Sequence, residues 1–247
     1  MKQASMNTPL LVAPLLLAVL AGCHREQEQA EQANAQAAAI EAAAKQGEVA
    51  FEDAVARQNW QLAKAQADVL ISQYPQSQAA QRVEAKFDDV KAKAEAAREK
   101  ARTAALWGYD RVAVTGAKAG TQLSAAIFAR DDVDVDGSGA KPVRLIFRDH
   151  PAWGRSAYLV LQAGDFNCYG GCKLKVTVDD AAPKTMAGTR PKTDEAIAMF
   201  IEDERGLWRL TRNAKLVSIE FPVKPGGTRT AVFEVGGLDR MQMPGWD

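Results

Sequence analysis

The spacing of apolar residues changes period near residue 106, and that change divides the chain. Upstream, Ala, Gln, Glu and Lys dominate and Gly and Pro are scarce. Phe51, Ala54 and Val55 form a short helical stripe, and Gln58-Asn59 interrupts it. Leu62, Ala65, Val69 and Leu70 resume at helical spacing. Tyr74-Pro75 stops that helix, because proline disfavours a helical residue before it and cannot continue the hydrogen-bond ladder. Ser77 is a candidate N-cap for a further helix. In that helix Val83, Phe87, Val90, Ala94, Ala97 and Ala101 alternate steps of four and three, a heptad seam of mostly small residues. Residues 47–105 thus predict an N-terminal helical hairpin. Residues 23–46 are rich in Ala, Gln and Glu and lack an apolar stripe. Alanine favours helix, but a helix without a stripe has nothing to pack, so this stretch predicts a tether of fluctuating helicity.

From Tyr109 the period becomes two. Candidate strands are 111–115, 122–130, 143–148, 157–162, 173–178, 196–201, 216–221 and 230–235, separated by turn residues such as Gly116, Asp136-Gly137-Ser138-Gly139, Asp179-Asp180, Pro183 and Pro225-Gly226-Gly227. Many short strands with such punctuation predict an antiparallel β-sandwich or barrel-like domain over 106–240, with 241–247 as a C-terminal tail. A short helix over 204–214, containing Trp208 and Leu210, would cross one end. The expected core draws on Val112, Val114, Ile127, Leu145, Phe147, Leu159, Leu161, Leu174, Val176, Phe200, Ile219, Phe221, Val232 and Phe233. The fold class is therefore α+β in two parts.

The first 22 residues stand apart. Lys2 provides a positive start, an apolar run extends from Leu10 to Leu20, and Leu20-Ala21-Gly22-Cys23 follows. The run is too short for a bilayer span, which takes about 20 apolar residues, and Pro9 and Pro14 lie near and within it. The order of charge, apolar run, small residue and cysteine resembles a bacterial lipoprotein signal peptide with its lipobox. The resemblance implies acylation of Cys23, palmitate included, and its emergence as the first residue of the mature protein. In that class an Asp after the acylated Cys retains the protein in the inner membrane. Here the residue is His24, so the resemblance implies an outer-membrane anchor with the body facing the periplasm.

Two weaker likenesses follow. Trp60 through Leu70-Ile71 and Tyr74-Pro75-Gln76-Ser77 resembles the junction between tetratricopeptide-type repeats, over about one and a half units, whereas a solenoid takes three or more. Gly164-Asp165-Phe166-Asn167-Cys168, Cys172 opening a strand that ends at Asp179, Phe200-Ile201, and a last strand into Gly236-Gly237-Leu238 resemble a C-terminal module of uncharacterised exported proteobacterial proteins. That likeness implies a compact β domain and no particular activity.

Charge narrows the partners. Lys+Arg and Asp+Glu both number 31, and the balance holds in each half. No long-range field would draw the chain to nucleic acid or anionic lipid, so the lipid on Cys23 would be the membrane contact and no nucleic acid is expected. Three cysteines fit an exported protein, one for lipid and two to pair.

Cys168-Tyr169-Gly170-Gly171-Cys172 is the clearest local feature. A zinc half-site needs further ligands, and thioredoxin-like pairs have two intervening residues rather than three. The spacing is read as a disulfide that staples a tight connection and holds Tyr169 as a pre-ordered partner contact. Asp132, Asp134, Asp136 and Gly137 match the opening of a calcium loop, but Val143 occupies the position of the final bidentate Glu. Asp149-His150 is a neighbouring Asp-His pair that precedes Pro151 and reads as a loop. Ser124, Ser138, Ser156 and Ser218 sit in no nucleophile elbow, and the chain has no P-loop. These observations lead us to expect no catalytic residue, no metal and no cofactor. They point to a non-enzymatic binding or scaffold lipoprotein with an envelope protein or cell-wall partner. Two alternatives are an inhibitor or immunity lipoprotein acting on a periplasmic wall-degrading enzyme, and a calcium- or small-ligand-binding β module.

Overall fold

The computed structural model describes residues 18–193 and 196–247, with side chains from Arg25 onward. Most of the expected signal peptide and the side chain of Cys23 lie outside the described residues. The chain forms two compact units, 1–95 and 96–247.

The first unit contains α1 (Ala18–Ala56), α2 (Trp60–Gln73) and most of α3 (Gln78–Ala104). Alanine's propensity prevails over the missing stripe: the expected tether is continuous helix, and residues 25–39 are exposed throughout. The expected hairpin is instead a three-helix arrangement. Gln58 adopts a φ of 55° and Asn59 caps α2 by accepting from Leu62 N at 3.3 Å, so the chain reverses where the stripe broke. Glu48 pairs with Arg82, and Glu52 with Lys86 at 2.6 Å. Both pairs span the same 34 residues, so α1 and α3 run alongside one another in the same sense.

Ala44, Phe51 and Ala54 of α1 meet Ala63, Ala67 and Leu70 of α2 and Ala79, Ala80, Val83 and Val90 of α3 in one core. Of the four positions expected in the α2 stripe, only Leu70 is buried. Leu62 and Val69 are 44% and 49% exposed and Ala65 faces solvent, while Ala63 and Ala67 are buried. Close approach of helices favours the smallest side chains, which a pattern of large apolar residues does not register. The α3 seam holds at Val83, Val90 and Ala94, weakens at Phe87 and Ala97, and ends before the exposed Ala101.

The second unit carries β1 (Trp107–Val114), β2 (Gly120–Phe128), β3 (Val143–His150), β4 (Gly154–Leu161), β5 (Cys172–Val178), β6 (Lys184–Thr189), β7 (Ala198–Ile201), α4 (Glu204–Leu210), β8 (Val217–Pro222) and β9 (Thr228–Phe233). Among the described residues all nine strands join one sheet in the order β1-β2-β3-β4-β7-β6-β5-β8-β9, every neighbouring pair antiparallel. This corrects the expectation of a sandwich or barrel: hydrogen bonding makes one sheet rather than two, and the sheet is open. It curls around a single core that draws on Ile127, Leu159, Ile219 and Phe233 from strands far apart in the order. The curl brings Arg130 N, just past β2, to within 2.7 Å of Val232 O on β9.

Strand β6 was not expected. Its inward positions are Met186 and Gly188, so it offers one apolar side chain where alternation needs two or three. Period two places most of the expected core correctly, from Ile127 through Phe233. The exceptions are Val112, which is 50% exposed on the outer face of β1, and Val114, Phe200 and Val232, which are half-buried. The segment 241–247 is no loose tail. Met243 and Trp246 are buried, and Phe147 sits among Trp107, Trp208 and Trp246. Asp247 accepts from Trp208 Nε1 at 3.1 Å and pairs with Arg240 and Arg212. The hydrogen bond from Arg240 is the main cause that holds this carboxyl far below the usual range. Gly237 permits a close backbone approach: a Cβ there would lie 2.1 Å from the carbonyl carbon of Thr103, near the end of α3.

Candidate functional site

The link from β4 to β5 must pass two intervening strands, and it carries the densest local chemistry. Phe166, fully buried, makes an isolated bridge to Val223 and packs edge-on against Phe221. Asn167 N donates to Pro222 O at 3.0 Å. These contacts hold the loop before it reaches Cys168. Cys168 and Cys172 form the expected disulfide. Gly170 and Gly171 adopt φ of 78° and 108°, and Gly171 N donates back to Cys168 O at 3.2 Å, closing the ring. Both sulfurs are sheltered: Cys168 is 1% exposed, and Cys172 Sγ lies 3.8 Å from Met199 Sδ. Tyr169 projects from this loop, 62% exposed, with the Arg190 guanidinium 5.6 Å from its ring centre.

Beneath Tyr169 lies a charged cluster that the sequence reading missed. Asp165 and Arg190 are each 7% exposed. Asp165 Oδ1 accepts from Arg190 Nη1 and from Ala196 N, both at 3.0 Å, and Oδ2 pairs with Lys224 Nζ at 2.8 Å. Burial pushes the Asp165 pKa up, but the hydrogen bond from Lys224, the Ala196 N–H and the charge on Arg190 outweigh it and hold the carboxyl below its ordinary value. The acid is therefore ionised at neutral pH and fixed as a strut. No local signal could have found it, because Arg190 and Ala196 lie 25 and 31 residues away.

The acidic loop after β2 is a hairpin turn. Val133 and Val135 point into the core, at 9% and 4% exposure, so Asp132, Asp134 and Asp136 face solvent by simple alternation. Asp134 Oδ1 accepts from Gly137 N at 2.7 Å and Asp136 Oδ1 from Ser138 N at 2.9 Å. Hydrogen bonding by Ser138 holds the Asp136 carboxyl below its usual value. These carboxylates serve their own backbone, and among the described residues no group of three His, Cys, Asp or Glu is placed to hold a metal. Asp179 acts similarly, accepting from Lys215 N and Leu216 N at 3.0 and 2.8 Å.

His150 ends β3, 6% exposed. Its Nδ1 accepts from Ala152 N at 3.0 Å and Trp153 N at 3.3 Å, and its ring stacks on Trp153 at 3.9 Å. Asp149 faces the other side of the sheet and pairs with Arg155 at 3.4 Å. The neighbouring Asp and His are thus not brought together. The arrangement around the disulfide offers an exposed aromatic tip, Tyr169, on a stapled loop over a buried ionic strut. The chain matches no protein-family model, no curated protein and no solved structure.

Proposed function

We propose that this protein is a lipid-anchored component of the bacterial outer membrane, facing the periplasm, where it binds or scaffolds an envelope partner without catalysing a reaction. The observation that carries the reading is the apolar run ending in Leu20-Ala21-Gly22-Cys23. It is supported by the fate of the other cysteines: Cys168 and Cys172 pair with one another, as suits an oxidising compartment, leaving Cys23 outside the disulfide. Several acyl chains on one cysteine anchor firmly, each buried CH₂ contributing about 0.8 kcal/mol. Among the described residues no helix is long and apolar enough to cross a membrane, so in this reading the lipid is the anchor. The parallel course of α1 and α3 at an offset of 34 residues supports a further reading of the three helices as about one and a half tetratricopeptide-type units.

Mass spectrometry of protein recovered from outer membranes tests the anchor. A triacylated N-terminal cysteine, and release of a Cys23→Ser variant from the membrane fraction, are expected. An intact, unmodified N-terminus on cytosolic protein would overturn the reading. A second reading, an inhibitor that inserts Tyr169 into a wall-degrading enzyme, is favoured by the exposure of that ring on a stapled loop. Full protection of cells by a Tyr169→Ala variant against such an enzyme would remove it.

A further inference from the structure

The outer face of strands β2, β3, β4 and β7 is built unlike an ordinary solvated sheet surface. Alternation along β3 sends Val143, Leu145 and Phe147 inward and Arg144, Ile146 and Arg148 outward. Register places Arg144 between Phe128 and Val160, Ile146 between Ala126 and Tyr158, and Arg148 between Ser124 and Ser156. Tyr158 in turn neighbours Phe200 on β7, their rings 5.2 Å apart. The Arg144 guanidinium lies 5.0 Å from the Phe128 ring centre, and that of Arg148 lies 5.3 Å from Tyr158 and 5.4 Å from Trp153. Phe128 and Trp153 are 50% and 72% exposed.

Charge gives this face its direction. Neither Arg144 nor Arg148 forms an ion pair among the described residues, whereas Arg130 and Arg155 nearby do. Arg148 has one side-chain bond, from Nε to Ser156 Oγ at 3.2 Å, and Arg144 Nε is buried without an acceptor. Two acids lie along the row of Arg148, Asp110 on β1 beyond Ser124 and Glu202, just past β7, beyond Ser156, and neither pairs with Arg148. Two cations thus lie over aromatic rings with no carboxylate paired to either. Trp, Tyr, Phe and Arg are the residues enriched where protein interfaces carry most of their energy, and carboxylates are depleted there. A guanidinium fork matches a carboxylate in two-point geometry.

We propose that this face docks an acidic segment of a protein partner, with carboxylates received by Arg144 and Arg148 and apolar side chains by Phe128 and Trp153. The two arginines are four residues apart on one strand, so their Cα atoms are about 13 Å apart. An extended partner segment meets that spacing with acidic residues at positions i and i+4. The inference rests on the reading of the protein as a binding component and names the face that does the binding.

A random dodecapeptide library displayed on phage, selected on the immobilised full chain, supplies the probe, and calorimetry on the synthesised winners supplies the affinities. Winners rich in Asp and Glu are expected, with affinity that falls at least about tenfold in Arg144→Glu or Arg148→Glu and weakens as salt is raised. Arg148→Lys is expected to fall between, since lysine keeps the charge but loses the fork. Trp153→Ala guards against misfolding, because a side chain so exposed leaves no cavity, and it should also weaken binding. Winners without acidic bias, equal binding by the charge-reversed chains, retention of an anionic glycan such as heparin but of no peptide, or no winners at all would each overturn the proposal. If envelope proteins still co-purify with the double reversal, the binding reading survives and this face is not its site. If none co-purifies with either chain, the binding reading itself fails.

Discussion

The two units solve the burial problem with different side chains. The helical unit packs Ala44, Ala54, Ala63, Ala67, Ala79 and Ala80 around one large ring, Phe51. The β unit surrounds Phe147 with three tryptophans and fills the rest with leucine, isoleucine, valine and phenylalanine. Alanine gives close helix approach but little apolar area, so the helical core concentrates its large apolar burial in few residues, whereas the β core spreads it over many. The comparison teaches where each unit is vulnerable.

Phe147→Ala should have the largest effect. It opens a cavity among Trp107, Trp208 and Trp246, and a loss of about 3–5 kcal/mol is expected. Denaturant unfolding followed by tryptophan fluorescence would read it, since four of the five tryptophans lie in the β unit. A loss below about 1 kcal/mol would mean that the aromatic cluster is not the centre of that core. Phe51→Ala should come next, at about 3 kcal/mol, because small neighbours can collapse part of the way into the space it leaves. Its signature is selective: helical circular dichroism melts at lower temperature. Retention of the wild-type helical transition would break the claim that one ring organises the alanine core.

Asp165→Asn sharpens the comparison from the polar side. It removes the charge that faces Arg190 and Lys224, and about 2 kcal/mol is expected at neutral pH. The sign with pH is fixed by the lowered folded pKa. The ionised acid contributes stability above its unfolded pKa of about 3.9, and that contribution is lost as pH falls through the lower folded value. Wild-type stability should therefore fall more steeply than that of the variant below about pH 4. Parallel acid limbs in the two chains would show that the strut is uncharged or unimportant.

How much of this was legible follows from which physical signal each feature leaves. Helix ends were readable because Gln58-Asn59, Tyr74-Pro75 and Ser77 act locally through backbone preference and capping. The inward face of α2 was not, because Ala63 and Ala67 look neutral in sequence while Leu62 and Val69 look apolar. Period two found eight of the nine strands and failed at β6, where Gly188 occupies an inward position. The disulfide was readable from the close spacing of Cys168 and Cys172. The strut of Asp165, Arg190 and Lys224 and the outward pair Arg144 and Arg148 were not, because each depends on strand order and on which face a side chain takes.

The smallest effect tests a contact that joins both kinds of signal. The start of α3 presents free N–H groups at Gln78, Ala79 and Ala80, which need acceptors. Ser77 Oγ takes the third at 3.0 Å, a local cap visible in the sequence. The Glu41 carboxylate takes the first two at 2.8 and 3.1 Å, from a helix 37 residues upstream in the case of Gln78. Ser77→Ala should cost about 1 kcal/mol. Glu41→Ala should cost a similar amount, and Glu41→Gln less, since the amide oxygen still accepts but the charge that favours a helix N-terminus is gone. Because the three N–H groups share one terminus, the losses in the Ser77→Ala, Glu41→Ala double variant should differ from the sum of the single losses. Simple additivity would mean that the two caps act independently, and no loss at all in Glu41→Ala would mean that its carboxylate does not cap α3.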